Sequence, residues 1–261
     1  MDELSQYLKS NYYDEYDLEQ ILNKKIIITK NHIENIDMHN YSDECTSFNI
    51  IKLFEKYGYV FTDDDYISIV TKQGIMLMDI PDDKKTDEIC RFAIQDDTSC
   101  LRYVPKNKIT DGLCEMAVRK SGYALRFIPG NKRTDEICRI AVEENGYILE
   151  HISENKKTDE LCKIAVRKNG AALQFVPENK KTDEICEIAV QQNGWALKYV
   201  PNNKKTDKIH KIAVRQDGDT LQFIPDDNIT NEICEIAIQQ NKNALRFVPN
   251  NIKHLFIKNE K

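Results

Sequence analysis

A threonine returns every 24 residues along most of this chain, at positions 62, 86, 110, 134, 158, 182, 206 and 230, with no insertion or deletion between copies. Strict self-similarity at a period in this range is the mark of a solenoid, in which each unit buries its apolar face only by stacking on its neighbours. The cleanest copy, Thr182 to Pro201, reads TDEICEIAVQQNGWALKYVP. Its order of residue types predicts its local structure. Thr182 suits a helix N-cap, because its hydroxyl can accept from a free amide of the first turn. Asp183 and Glu184 place negative charge at the positive end of the helix dipole.

Ile185, Cys186, Ile188, Ala189 and Val190 follow, at a spacing that covers a wide arc of a helix and suits one sandwiched between neighbours. The recurrent alanine (Ala189 here) reads as a point of close helix approach. Asn193-Gly194 predicts the helix end, with glycine in the left-handed conformation common just past a helix C-terminus. Ala196, Leu197, Tyr199 and Val200 then predict a second, shorter helix. Pro201 stops it, since the residue before a proline avoids helical geometry. All seven prolines of the chain hold this slot, and Ser153 stands there in the copy that opens at Thr134. A polar turn leads to the next threonine. The fold class expected is therefore all-α, an α-solenoid of stacked helix-turn-helix repeats of period 24.

The pattern TDEICxIAVxxNGxALxFVPxNKK resembles a short helical repeat family of unknown function found in bacteria and large DNA viruses. Its core reads elC..Av..nG.aL.yvPe. The resemblance spans all eight copies, implies an α-helical array and transfers no catalytic residue. The Lys-, Asn- and Ile-rich composition would suit an AT-rich viral genome.

Residues 1–61 follow other rules and are expected to form a helical N-terminal cap, ahead of an array over 62–253 and a tail over 254–261. Asp2–Lys9 and Asp14–Asn23 read as short helices, and Lys25–Lys30 (KIIITK) as a strand or an irregular buried segment. Residues 46–61 look like a worn half-repeat, with Gly58 on the glycine slot. The acidic tyrosine cluster from Tyr12 to Asp17 reads either as a partner-docking motif or as a solvated helix face.

Charge narrows the function classes. Residues 1–61 hold 11 acids against 6 lysines, whereas the remainder holds 32 acids and 31 bases. A nearly neutral array lacks the basic excess of a general polyanion binder. No apolar run approaches the roughly 20 residues that span a bilayer, and the first residues lack a secretory signal's pattern. A soluble cytoplasmic protein is expected (host cytoplasm, if viral), with no membrane partner.

Cys90, Cys114, Cys138, Cys162, Cys186 and Cys234 share one slot, filled by His210 and Tyr66 in two other copies. Stacked helices sit roughly 8–10 Å apart, whereas a disulfide needs Cα atoms within about 7 Å and zinc needs its ligands around one ion. One thiol per copy serves neither, so the ladder is read as packing in a reducing compartment. No phosphate loop, HExxH, CxxC pair or nucleophile elbow occurs. No catalytic, cofactor or metal site is expected, and the chain is read as non-enzymatic.

Function is sought in slots that stacking does not dictate. The position after the glycine, and the position three residues on, supply Tyr123, Arg126, Tyr147, Trp195 and Lys198. Aromatic and arginine side chains favour interface hot spots, so these five form the candidate partner-binding surface, unless the rings half-bury against the next copy. The expected partner is a protein. The alternative is a nucleic-acid-binding array on the edge formed by Lys84-Lys85, Lys132-Arg133, Lys156-Lys157, Lys180-Lys181 and Lys204-Lys205. The acids that follow each pair argue instead for a solvated salt-bridge edge.

Overall fold

The computed structural model describes residues 2–9, 15–36 and 49–257. Tyr12, Tyr13, Asp14, His39 and Cys45 lie outside the described residues, so half of the acidic tyrosine cluster does too. Every regular element among the described residues is helical. No helix among them is long and apolar enough to cross a membrane. The chain forms two compact units, residues 1–120 with 127–132, and residues 121–126 with 133–261. The division falls inside the copy that opens at Thr110.

The first unit opens with short helices at Glu3–Tyr7, Glu15–Leu22, Lys30–Glu34 and Ile50–Lys56. Their apolar faces, Leu4, Leu18, Leu22, Ile33, Ile50, Ile51 and Phe54, are buried. Lys25–Thr29 is not a strand. Lys25 is a turn residue at φ +59°, and 26–29 lies outside any regular element, with Ile28 buried and Ile27 projecting outward. Gly58 has φ +87°, and Tyr59 N–H donates to the Phe54 carbonyl at 3.0 Å. Glycine here does take the left-handed helix stop.

The repeats in the second unit are built alike, and the copy from Thr182 serves for all. Its α-helix runs Asp183–Gln192, and Thr182 accepts from the Ile185 amide at 3.2 Å. Ile185, Cys186, Ala189 and Val190 are buried. The second helix, Gly194–Tyr199, is a 3-10 helix, not the α-helix a repeat of this kind suggests. Asn193 imposes it. Extended at φ −150° and ψ 112°, Asn193 ends the α-helix and turns its side chain to accept from the Trp195 amide at 3.0 Å. A second, shorter 3-10 segment, Asn202–Lys204, follows the proline. At the chain's far end a further helix, Asn250–Ile257, runs into the stretch expected to be a tail.

The recurrent glycine is not left-handed; among the described residues only Gly58 and Lys25, the latter at φ +59°, have positive φ. Close approach explains the slot. A Cβ on Gly170 would stand 2.3 Å from the Ala189 carbonyl oxygen of the next copy and 2.8 Å from Gln192 Oε1. The glutamine closes the joint. Gln216 accepts from the Gly194 amide at 2.6 Å, and its own amide donates to the Val190 and Gln191 carbonyls at 3.0 and 2.7 Å. One side chain thus satisfies a free donor and two helix-end acceptors of the preceding copy. Gly218 and Gln240 repeat the bond at 2.6 Å. In the first unit Thr98 replaces the glycine, and Lys120 reaches the helix-end carbonyls of Gln95 and Asp96 instead.

Candidate protein-interaction surface

Within the second unit the 3-10 helices present the same two slots to solvent. Tyr123 is 48 % exposed and Trp195 42 % exposed. Arg126 and Lys198 are exposed, each three residues after its aromatic and so one turn of 3-10 helix away. Tyr147 is half-buried. The five side chains do not form one cluster. Tyr147 packs edge-on against Phe175 of the next copy, with ring centroids 6.4 Å apart, and Trp195 does the same with Phe223 at 5.5 Å.

Trp195 also donates its indole N–H to Asp217 Oδ2 at 2.7 Å. It is therefore a staple between copies, as well as a surface residue. Tyr123, Arg126 and Lys198 carry less of this double duty, and the Lys198 ammonium lies 5.8 Å from the Tyr199 ring centroid. The half-buried rings Phe175, Tyr199, Phe223 and Phe247 complete a surface in which aromatic edges alternate with variable side chains. Sequence patterning did not identify Asp217 as the tryptophan's partner. Its only trace was an acid in the Asn slot, which looks like ordinary capping.

Only the first member of each basic pair sits on a surface salt-bridge edge. The second member is threaded into the protein. Lys181 is 6 % exposed, and it donates to Glu178 Oε1 at 2.6 Å and to the Tyr199 carbonyl of the next copy at 3.2 Å. Lys157 and Lys205 make the same bond to the Phe175 and Phe223 carbonyls, and Arg133 to that of His151. In the first unit Lys85 bonds Tyr103 in the same way. Each cation meets the carbonyl end of a 3-10 helix, where positive charge is favoured. The first member pairs with the aspartate that opens the α-helix of its own copy, as in Lys132–Asp111, Lys156–Asp135, Lys180–Asp159 and Lys204–Asp183, at 2.8–3.0 Å. Lys84 instead lies 3.9 Å from the neighbouring Asp83.

The cysteine ladder is buried throughout its six slots, and every thiol in it is free. Burial pushes the Cys186 thiol up to about 11, away from the thiolate that nucleophilic or metal chemistry requires. Among the described residues no three His, Cys, Asp or Glu side chains are placed to hold a metal ion. His210 is wholly buried in its slot, and its Nε2 has no hydrogen-bond partner. Desolvation, with the nearby Lys205 ammonium, holds its pKa below the usual histidine value.

Period, helical content and the interlocking copies define a helical repeat protein. The chain belongs to the family described as Domain of unknown function (DUF4116), whose model matches residues 112–155, 158–203 and 207–253. Each matched segment takes in two copies, those opening at Thr110 and Thr134, at Thr158 and Thr182, and at Thr206 and Thr230. No curated protein and no solved structure matches the chain.

Proposed function

We propose that the chain is a non-enzymatic scaffold that binds a protein partner through the exposed slots of its 3-10 helices, with Tyr123, Arg126, Tyr147, Trp195 and Lys198 as contact residues. The observation that carries this reading is Tyr123. Its ring is half-exposed on a helix whose neighbours Gly122, Ala124 and Leu125 are all buried, so a rigid frame holds an aromatic at the surface. Rigid aromatics lose little conformational entropy on binding, and with arginine they dominate interface energetics.

The engaged basic pairs favour this reading over a nucleic-acid array. Their outer cations are paired with carboxylates and their inner cations are held by backbone carbonyls, which leaves little free charge to displace counterions from a phosphate backbone.

Two experiments separate the readings. The full chain and a Tyr123→Ala, Arg126→Ala, Lys198→Ala triple variant are immobilised, and the proteins each retains from source-cell extract are quantified by mass spectrometry. A protein enriched on the wild type and lost from the equally folded variant supports the scaffold. Identical retention by both overturns it. In parallel, single-stranded RNA binding is titrated with salt, and steeply salt-sensitive affinity would move the assignment to nucleic acid.

A further inference from the structure

The first unit carries a second feature, independent of the repeat face. Two stretches outside any helix, 26–29 and 59–61, adjoin an open groove of about 400 Å³ lined by Leu22, Asn23, Ile26, Ile28, Tyr57 and Tyr59 among others; Val60 follows the lining Tyr59 and lies just outside the groove. That volume lies within the ~300–1,000 Å³ of ordinary ligand pockets.

Both stretches alternate as strands do. Ile28 and Phe61 point into the core, at 9 % exposure each, while Ile27 and Val60 project at 82 % and 84 %. Yet neither is paired. Among the described residues no hydrogen bond engages the backbone of Ile26, Ile27, Ile28, Val60 or Phe61. Every neighbouring segment closes its backbone bonds within a helix or turn, as Lys25 N–H does to Leu22 and Tyr59 N–H to Phe54.

A β-branched run whose side chains alternate in burial and whose amides and carbonyls are free, among described elements that are otherwise helical, is a template for another strand. A helix brings no free main-chain groups to such an edge, whereas an extended peptide brings a complementary row. Charge adds direction. Lys24 is paired with Glu3 at 2.6 Å and Lys56 with Glu19 at 2.6 Å. Lys25, also lining the groove and exposed, has no partner among the described residues.

We propose that this groove docks an extended peptide segment by main-chain pairing, with alternate apolar side chains on Ile27 and Val60 and an acidic residue on Lys25.

The test uses the full chain and a fluorescein-labelled hexapeptide, Glu-Val-Thr-Val-Thr-Val, followed by fluorescence anisotropy. Saturable binding is expected. It should weaken at least about tenfold with Ile27→Asp or Val60→Asp, and again when alternate peptide amides are N-methylated. Both substituted side chains are almost fully exposed, so thermal melts should stay at the wild-type midpoint and show that the variants fold. Absence of saturable binding, or binding indifferent to the substitutions or to N-methylation, overturns the proposal. Sedimentation equilibrium supplies one further outcome. A dimer of the full chain that Ile27→Asp dissolves would make a second copy the occupant and overturn the peptide assignment.

Discussion

Replacing Gly170 with alanine separates two explanations of the repeat's most regular glycine. If the slot required left-handed backbone, alanine would cost about 1–2 kcal/mol, the strain of an L side chain in that conformation. The structure requires more. The new methyl would lie 2.3 Å from the Ala189 carbonyl oxygen and 3.0 Å from Asn193 Cβ, atoms belonging to backbone or anchored close to it. Relief means separating two copies, which strains their packing by about 1–3 kcal/mol. The same movement weakens the bond from the Gly170 amide to Gln192 Oε1, adding about 1 kcal/mol. The expected loss is therefore about 2–4 kcal/mol.

Urea denaturation followed by far-UV circular dichroism measures it, with Gly130→Ala as the control. A Cβ at Gly130 meets nothing within 4 Å, and its φ is not positive. That variant should be neutral or stabilised by about 0.4–1 kcal/mol. Equal midpoints for the two variants would refute the close-approach account of the slot.

Other slots give smaller, ordered effects. Thr182→Ala removes a helix cap and should cost about 1 kcal/mol in the same denaturation assay. Lys181→Met leaves the Tyr199 carbonyl without its buried donor and should cost about 2 kcal/mol, whereas Lys180→Met, which breaks only a surface pair, should leave the midpoint close to wild type. His210 makes stability pH-dependent with a definite sign. Its folded pKa lies below the 6.5 of a free histidine, so the unfolded chain binds the proton more readily. The contribution is complete above pH 6.5 and is lost as pH falls through that value toward the lower folded pKa. His210→Cys, which restores the ladder residue, should flatten the melting temperature between pH 7 and pH 5; an unchanged slope would show that His210 is not the group titrating.

Much of the frame was legible in sequence because local rules set it. Thr182, Asp183 and Glu184 begin a helix by chemistry confined to one turn. Cys186 and Ala189 fall on a face whose spacing alone marks it as buried, and Pro201 ends its segment by its own ring. Roles set by the neighbouring copy were not legible. A glycine in sequence is equally a left-handed stop or a place to let backbone pass, and Gly58 and Gly170 are one of each. Lys181 looks like any surface lysine until the Tyr199 carbonyl is placed above it.

The candidate surface divides on the same line. Tyr123, Arg126 and Lys198 are exposed. For Trp195 the sequence leaves open a free ring or one half-buried against the next copy, and Phe223 and Asp217 of that copy hold it. The free edge of Ile26–Ile28 gives only a β-branched run as a signal, and the groove it shares with Tyr57 and Tyr59 depends on two turns distant in sequence.

The most direct test of the functional account is site-specific photocrosslinking in cells. A benzophenone amino acid replaces Tyr123 or Lys198, and, as a control, Gln191, which is exposed on an α-helix outside the proposed surface. The account expects discrete protein adducts at 123 and 198, few at 191, and no nucleic acid in the adducts. Equal labelling at all three positions, or adducts dominated by nucleic acid, would contradict it.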